Sequence, residues 1–292
     1  MLAAGLSGCV TESPAVLPAP AKARAIAGAT PVEFPSRDGD LLQGPPTRLE
    51  GWLFRPDGPG PFPAIVALHG CGGLYAQDGE LTPRHRDWAE RLRRLGYVVL
   101  FPDSFSPRGL DENCDRTAHA RHVHAAIERP RDAYGALQYL QTLPFVRPDA
   151  ISLLGWSNGG TAVLAAAAAK TEARPVGTGH DFRTAIAFYP DCRPTLEGGD
   201  WAPTLPLHIL IGALDDWSPP KACADLAGRP FGTPIDLVIY PGAYHEFDDP
   251  DLKVQVRHGV SPAGSGEATV GTDPAARDAA IARVAQLLQS VP

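Results

Sequence analysis

Six short, mostly apolar runs punctuate this sequence, and each is bounded by turn residues. Runs of this length and composition are typical of strands buried within a sheet. They cover residues 63–68, 97–101, 151–154, 184–189, 207–211 and 235–240. Helices are predicted between and after these runs, over residues 87–95, 131–140, 161–170 and 219–227, and from a capped start at Pro274.

The regular alternation of strands and helices predicts an α/β fold whose central sheet is mostly parallel and covered by helices on both faces. Two earlier segments, residues 30–34 and 47–54, have the pattern of a half-exposed antiparallel pair, with turn residues at 36–39 between them. We therefore expect one folded domain over residues 30–292.

Size and charge narrow the classes of function. The chain has 292 residues, 44% of them hydrophobic and 20% charged, which is ordinary for a globular protein with one large core. A formal net charge of −7 argues against general nucleic-acid binding. No apolar run approaches the length that crosses a bilayer.

Residues 1–29 have a different character. Residues 6–9 (Leu-Ser-Gly-Cys) resemble a bacterial lipobox, in which Cys9 becomes the lipidated first residue, and an Ala- and Pro-rich stretch follows as a tether. No Lys or Arg precedes Cys9, and the apolar part is short for a secretory signal. We expect an exported lipoprotein that faces the periplasm, attached to the membrane through Cys9; the alternative is a soluble cytoplasmic protein.

The strongest chemical signal lies at residues 155–159 (Gly-Trp-Ser-Asn-Gly), between a predicted strand and an alanine-rich helix. A chain that turns abruptly from strand to helix has little space for a Cβ beside the turn residue. The two glycines relieve that crowding, and the hydroxyl of Ser157 projects from the tip of the turn. Ser157 is the candidate nucleophile; a plain glycine-rich turn is the alternative.

A serine hydroxyl needs a base, and the base needs an acid behind it. Asp215 follows the predicted strand 207–211, and His245 follows the strand 235–240. Parallel strands place their exits at one edge of the sheet, where ligands bind in open α/β folds. Asp216 and Asp191 are further candidates for the acid.

A fourth element could hold a developing negative oxygen. Residues 69–73 (His-Gly-Cys-Gly-Gly) leave the strand 63–68 as a glycine-rich loop. The backbone N–H groups of Cys71 and Asn158 are the predicted donors of this oxyanion hole. Nucleophile, acid, base and donor loop thus occur in the chain order expected of α/β-hydrolases.

These motifs resemble the dienelactone hydrolase family of α/β-hydrolases, in a serine-bearing, exported branch. The resemblance covers nearly everything after the tether and rests on residues 69–74, 103–109, 131–137, 155–160, 187–190, 212–217 and 240–245. Family members named for the activity use a cysteine nucleophile to open a carboxylated lactone. Ser157 occupies that place here, which argues against a dienelactone substrate and leaves ester hydrolysis as the expected reaction. The resemblance also favours Asp215 as the acid, because Asp215 lies three residues after Gly212, the spacing that the family favours.

Four cysteines lie after the tether and lack the short spacing of a zinc site. Export would favour disulfides. Three pairings are possible; we favour Cys71–Cys114 and Cys192–Cys223, because each pair would lie on loops that leave neighbouring strands. The alternative is four buried thiols.

Substrate contacts are harder to predict. Arg108 could bind a substrate carboxylate or could be structural. Trp156 and Trp217 flank the nucleophile and the acid and could line an acyl pocket, or could simply pack in the core. His119, His122 and His124 invite a metal site, but a solvated loop is the simpler interpretation because no acidic partners follow a regular spacing.

Together these features predict a serine hydrolase that cleaves small carboxylic esters or lactones through an acyl-enzyme, with no metal or organic cofactor. One alternative is a serine peptidase of the same fold, which would be expected to carry a large extra domain or cap. The other is a non-catalytic lipoprotein that binds a ligand; the presence of all three triad residue types argues against it.

Overall fold

The structure is a computed structural model and describes residues 26–114, 123–177, 179–260 and 266–289. An eight-stranded sheet forms its centre, in the order β1-β2-β4-β3-β5-β6-β7-β8. The strands are β1 Ala29–Pro35, β2 Arg48–Phe54, β3 Phe62–Leu68, β4 Val98–Asp103, β5 Val146–Trp156, β6 Ala185–Phe188, β7 Leu207–Gly212 and β8 Ile235–Tyr240. In this sheet β2 pairs antiparallel with both of its neighbours, β1 and β4, and the other neighbouring strands pair parallel. The predicted α/β fold with a mostly parallel sheet is confirmed.

Helices connect the strands. They are α1 Gly39–Leu42, α2 Pro83–Arg94, α3 Glu128–Gln141, α4 Asn158–Ala167, α5 Arg193–Glu197, α6 Pro220–Ala227 and α7 Pro274–Gln289. A hairpin outside the sheet pairs β9 Gln255–His258 with β10 Glu267–Val270. Within the described ranges, no helix is long and apolar enough to span a bilayer.

The core follows the predicted apolar runs, with one exception. Residues of β3, β4 and β7 are almost completely buried. The strand β8 was predicted to be buried as well, but most of its side chains are half-exposed. The reason is its place at the end of the sheet, where β7 is the only described strand that pairs with it.

Helix α2 begins four residues before the predicted start at 87. Thr82 is its N-cap, and the Thr82 side chain accepts a hydrogen bond from the His85 backbone N–H. Pro83 follows in the first turn, where a missing N–H costs nothing. The cap and the proline thus extend the helix beyond its apolar stripe.

Both favoured disulfides are present. Cys71 bonds to Cys114, and Cys192 bonds to Cys223. The division of the chain at residue 30 stays a prediction, and Cys9 lies outside the described residues.

Buried His85 makes the stability of the fold depend on pH. Its ring packs against the rings of Phe101 and Trp156, and burial, aided by the Arg84 cation, lowers the pKa of His85 to about 3. In the unfolded chain His85 therefore binds a proton below about pH 6.5, whereas in the native state it stays neutral down to about pH 3. We expect this group to remove roughly 2 kcal/mol from the free energy of unfolding between about pH 7 and pH 5.

Urea unfolding of the wild type and His85→Gln at both pH values measures this effect. The loss of stability on acidification should be smaller in the variant by that amount. An identical pH dependence in the two proteins would contradict the assignment.

Candidate active site

Ser157 is the single residue between β5 and α4. Its backbone has φ 53° and ψ −116°, a conformation that costs free energy for any residue other than glycine. Two backbone–backbone hydrogen bonds hold the turn: Ser157 N–H donates to Phe188 O at 2.9 Å, and Thr161 N–H donates to Ser157 O at 2.8 Å. The strain is therefore held by β6 on one side and by the first turn of α4 on the other.

The glycines of the motif allow close backbone packing around this turn. A Cβ on Gly155 would lie 2.4 Å from Gly159 O, and a Cβ on Gly159 would lie 2.2 Å from Leu68 O. Neither contact is tolerable, and in both cases the obstacle is backbone. The glycines thus let the start of α4 rest directly on β5 and on the end of β3.

The three predicted side chains form a continuous hydrogen-bonded chain. His245 Nε2 lies 2.9 Å from Ser157 Oγ, and His245 Nδ1 lies 2.7 Å from Asp215 Oδ2. His245 and Asp215 are buried, while Ser157 is half-buried. A carboxylate placed behind the imidazole in this way fixes its tautomer and stabilises the imidazolium, so that Nε2 can accept the proton of the hydroxyl.

The structure distinguishes Asp215 from the other two carboxylates. Asp215 Oδ1 accepts hydrogen bonds from the backbone N–H groups of Trp217 and Ser218, which leaves Oδ2 for the imidazole. Asp216 instead accepts two hydrogen bonds from Thr269 of β10. Asp191 pairs with Arg193. Only Asp215, of these three, contacts His245.

Two rings contact the imidazole of His245, and the end of β10 holds its backbone. The ring centroids of Tyr189 and Trp217 lie 4.4 Å and 4.9 Å from that of His245. His245 also forms a parallel bridge with Val270, and Gly271 N–H donates to His245 O at 3.1 Å. The hairpin end at β10 therefore supports both the base and, through Asp216, the acid loop.

Sequence reasoning missed a buried carboxylate below the site. Asp248 accepts hydrogen bonds from Trp88 Nε1 at 2.7 Å, Trp156 Nε1 at 2.8 Å and Tyr189 Oη at 2.5 Å. Trp156 is completely buried among aromatic rings. The structure places Trp156 in the core, whereas Trp217 is the tryptophan that contacts the base.

The predicted oxyanion donors flank the serine. Gly70, next to Cys71, is so close that a Cβ on it would lie 3.7 Å from Ser157 Cβ. Asn158 opens α4, and N–H groups in the first turn of a helix have no partner inside the helix. Neither the Cys71 nor the Asn158 N–H bonds to another residue of the described chain. Both are available to a developing oxyanion.

Arg129 is a second residue that the sequence did not reveal. Its Nη1 donates to Asn158 Oδ1 at 2.6 Å, and the side chain is completely buried. Burial lowers the pKa of Arg129 to about 10. The guanidinium also lies over the Phe105 ring, 5.3 Å from its centroid. A buried cation thus stands directly behind one of the two predicted oxyanion donors.

Arg108, in contrast, is engaged within the protein. Its guanidinium bonds to Asp38, to both oxygens of Asp132 and to the backbone oxygen of Ser104, at 2.7–2.9 Å. Asp38 and Asp132 thus neutralise a mostly buried arginine, as buried charges require. These contacts favour the structural alternative for Arg108 over a contact with a substrate carboxylate.

The histidine cluster is only partly described. His119 and His122 lie outside the described residues, and His124 pairs with Glu128. Among the described residues, no group of three or more histidine, cysteine, aspartate or glutamate side chains is arranged to hold a metal ion.

Comparison with known proteins defines the family. The model of the dienelactone hydrolase family matches residues 49–291. The chain belongs to the dienelactone hydrolase family. This dienelactone hydrolase family member is also similar to a probable 2-oxo-3-(5-oxofuran-2-ylidene)propanoate lactonase of a Bradyrhizobium species, with 28% identity over 207 residues. That alignment covers 68% of this chain and 78% of the relative.

Solved structures show the same fold at low sequence identity. A dienelactone hydrolase-like promiscuous phosphotriesterase from metagenomic libraries gives a TM-score of 0.60 at 18% identity, covering 91% of this chain and 99% of that one. The apo form of esterase 2 from Thermogutta terrifontis gives 0.60 at 18% identity, covering 93% and 97%. These likenesses support the α/β-hydrolase fold of this family member.

Proposed function

We propose that this family member is a serine hydrolase that cleaves carboxylic esters or lactones through an acyl-enzyme. One observation carries the proposal: the hydrogen-bonded chain from Ser157 Oγ through His245 to Asp215. Its two distances, 2.9 Å and 2.7 Å, lie within the range expected of a nucleophile, a base and an orienting acid. The strained backbone of Ser157 also supports the proposal, because such conformations cluster at functional sites.

In the proposed first step, Ser157 Oγ attacks the substrate carbonyl carbon while His245 Nε2 takes the hydroxyl proton. The carbonyl oxygen becomes negative and is held by the N–H groups of Cys71 and Asn158. Each such donor contributes about 3 kcal/mol to stabilisation of the transition state. His245 then returns the proton to the leaving alkoxide, and an acyl group remains on Ser157.

In the second step, water replaces the alcohol. His245 takes a proton from the water as it attacks the acyl carbonyl, and the same two N–H groups hold the oxyanion. Collapse of this intermediate releases the carboxylic acid and returns the proton to Ser157. For a lactone the alcohol and the acid are parts of one molecule, so the product is a single hydroxy acid.

Ester or lactone substrates are favoured by the family and by the lactonase name of the Bradyrhizobium relative. Two disulfides favour export to an oxidising compartment. Attachment through a lipidated Cys9 stays a sequence-based prediction, since that residue lies outside the described part of the chain.

A three-substrate assay tests the proposal. We expect the purified protein to hydrolyse p-nitrophenyl acetate and the lactone dihydrocoumarin, with saturation kinetics for both. A dipeptidyl p-nitroanilide should be turned over at least about 100-fold more slowly, because its amine leaving group is much harder to expel. Faster turnover of the anilide would favour the peptidase, and no turnover of any substrate would favour a non-catalytic binding protein.

A further inference from the structure

The Cys71–Cys114 disulfide lies at the predicted oxyanion hole. Cys71 contributes one of the two N–H donors, and its sulfur is bonded to Cys114. Both half-cystines are buried, with 6% and 5% of their surface exposed. They form one apolar cluster with Trp217, the tryptophan that contacts His245, and with residues at and near the hairpin, namely Val260, Ala268 and Val270.

Backbone contacts also join the segments that carry Cys71 and Cys114. Asn113 N–H donates to Cys71 O at 2.8 Å. Gly73 has φ +82°, and a Cβ on it would lie 2.4 Å from Asp111 O, so the loop 70–73 is packed directly on the segment 111–114. The disulfide is the covalent part of this junction.

The Cys71 side of the oxyanion hole depends on this junction more than the Asn158 side does. The Asn158 N–H is fixed by the start of a regular helix, and its side chain is held by Arg129. Cys71 lies in a turn between β3 and α2, outside any helix or strand. A displacement of about 1 Å at a group that must meet the transition state can cost about 100-fold in rate.

We propose that the Cys71–Cys114 disulfide is a positioning element for the oxyanion hole, so that turnover depends on its oxidation state. This inference rests on the proposed function, because it assigns a role to a donor of that reaction. Reduction breaks the S–S bond: two electrons and two protons from a dithiol convert it to two thiols, and the dithiol becomes a cyclic disulfide. Oxidation restores the bond and the position of the Cys71 N–H.

The second disulfide provides a matched control. Cys192–Cys223 spans 31 residues and Cys71–Cys114 spans 43, so the two constrain the unfolded chain to nearly the same extent. Cys192 caps α5 and Cys223 lies within α6. Neither cysteine belongs to the proposed catalytic machinery. Loss of either bond should therefore lower stability similarly, whereas only loss of the first should affect turnover specifically.

The test compares C71A/C114A with C192A/C223A. Alanine keeps the backbone N–H at position 71. Both double variants lose two buried sulfur atoms, so a difference in kcat between them reports the place of the lost crosslink. We expect similar decreases in Tm for the two variants. At a temperature where both are folded, kcat for p-nitrophenyl acetate should fall at least about 10-fold in C71A/C114A, while KM changes less than about 3-fold. The control variant should keep kcat within about 2-fold of the wild type.

Equal kcat in the two double variants would overturn the inference. If C71A/C114A does not fold, C192A/C223A serves instead, because of the two disulfides it retains only Cys71–Cys114. Treatment with dithiothreitol should lower its kcat, and reoxidation should restore it. Unchanged kcat with two titratable thiols exposed by the treatment would also overturn the inference.

The inference and the proposed function can fail separately. A wild-type protein that turns over no ester would refute the function itself. Turnover that requires Ser157 but does not respond to the state of Cys71–Cys114 would refute only the role of the disulfide.

Discussion

Replacing Ser157 by alanine is expected to lower kcat for p-nitrophenyl acetate by at least about 10⁴-fold. The hydroxyl is the proposed nucleophile, and no other group bonds to His245 Nε2 in the described structure. Removing one member of a serine, histidine and aspartate unit forfeits nearly the whole contribution of the unit. The remaining rate would reflect the oxyanion donors and substrate binding.

The fold should tolerate this change. The Ser157 side chain is half-buried, and the hydrogen bonds that hold the turn come from its backbone. The Tm should therefore stay close to that of the wild type, and KM should change little. Ser152→Ala is the matched control, because Ser152 lies buried on the same strand β5 and should leave kcat unchanged. Turnover by Ser157→Ala above about 1% of the wild-type rate would contradict the assignment.

The second large effect is expected for Asp215→Asn, which should lower kcat by about 10⁴-fold. The carboxylate accepts a hydrogen bond from His245 Nδ1–H, and this leaves Nε2 unprotonated and ready to act as the base. An asparagine amide can donate to Nδ1 and so favours the wrong tautomer. It also carries no charge to stabilise the imidazolium.

Asp216→Asn is the matched control for this prediction. It makes the same chemical change one residue away, at a carboxylate bonded to Thr269 instead of His245. We expect its kcat to stay within about 10-fold of the wild type. Steady-state kinetics of the two variants side by side would decide between the acids. A larger loss of kcat in Asp216→Asn than in Asp215→Asn would show that Asp215 is not the acid that orients His245.

The sheet could be predicted because its strands are apolar runs that leave a clear signal. The hairpin of β9 and β10 could not. All four residues of β9 are exposed, and their polar and apolar side chains do not face a core that would impose a strict alternation. Its role is visible only in three dimensions, where β10 contacts both His245 and Asp216.

The candidate site also contains residues that the sequence predicts and residues that it does not. Ser157, Asp215 and His245 follow strand ends, and parallel strands bring such positions together whatever the details of packing. Arg129 bonds to Asn158, which lies 29 positions away in the sequence. The hydrogen-bond partners of Asp248 described above lie at least 59 positions away. A charged residue within a helix or loop carries no local pattern that distinguishes burial beside the site from exposure on the surface.

The choice between Asp215 and Asp216 also needed coordinates. Both carboxylates lie on the loop after β7, and either type of side chain could face the imidazole. The backbone N–H groups of Trp217 and Ser218 orient Asp215 toward His245. The carboxylate of Asp216 instead accepts a hydrogen bond from the Thr269 hydroxyl.

Covalent trapping tests the central claim most directly. A fluorophosphonate should add one phosphonyl group to the native protein, and peptide mass spectrometry should place it on Ser157. The Ser157→Ala protein should remain unmodified under the same conditions. A phosphonyl group on any other residue of the native protein, or none after prolonged exposure, would contradict the assignment of Ser157 as an activated nucleophile.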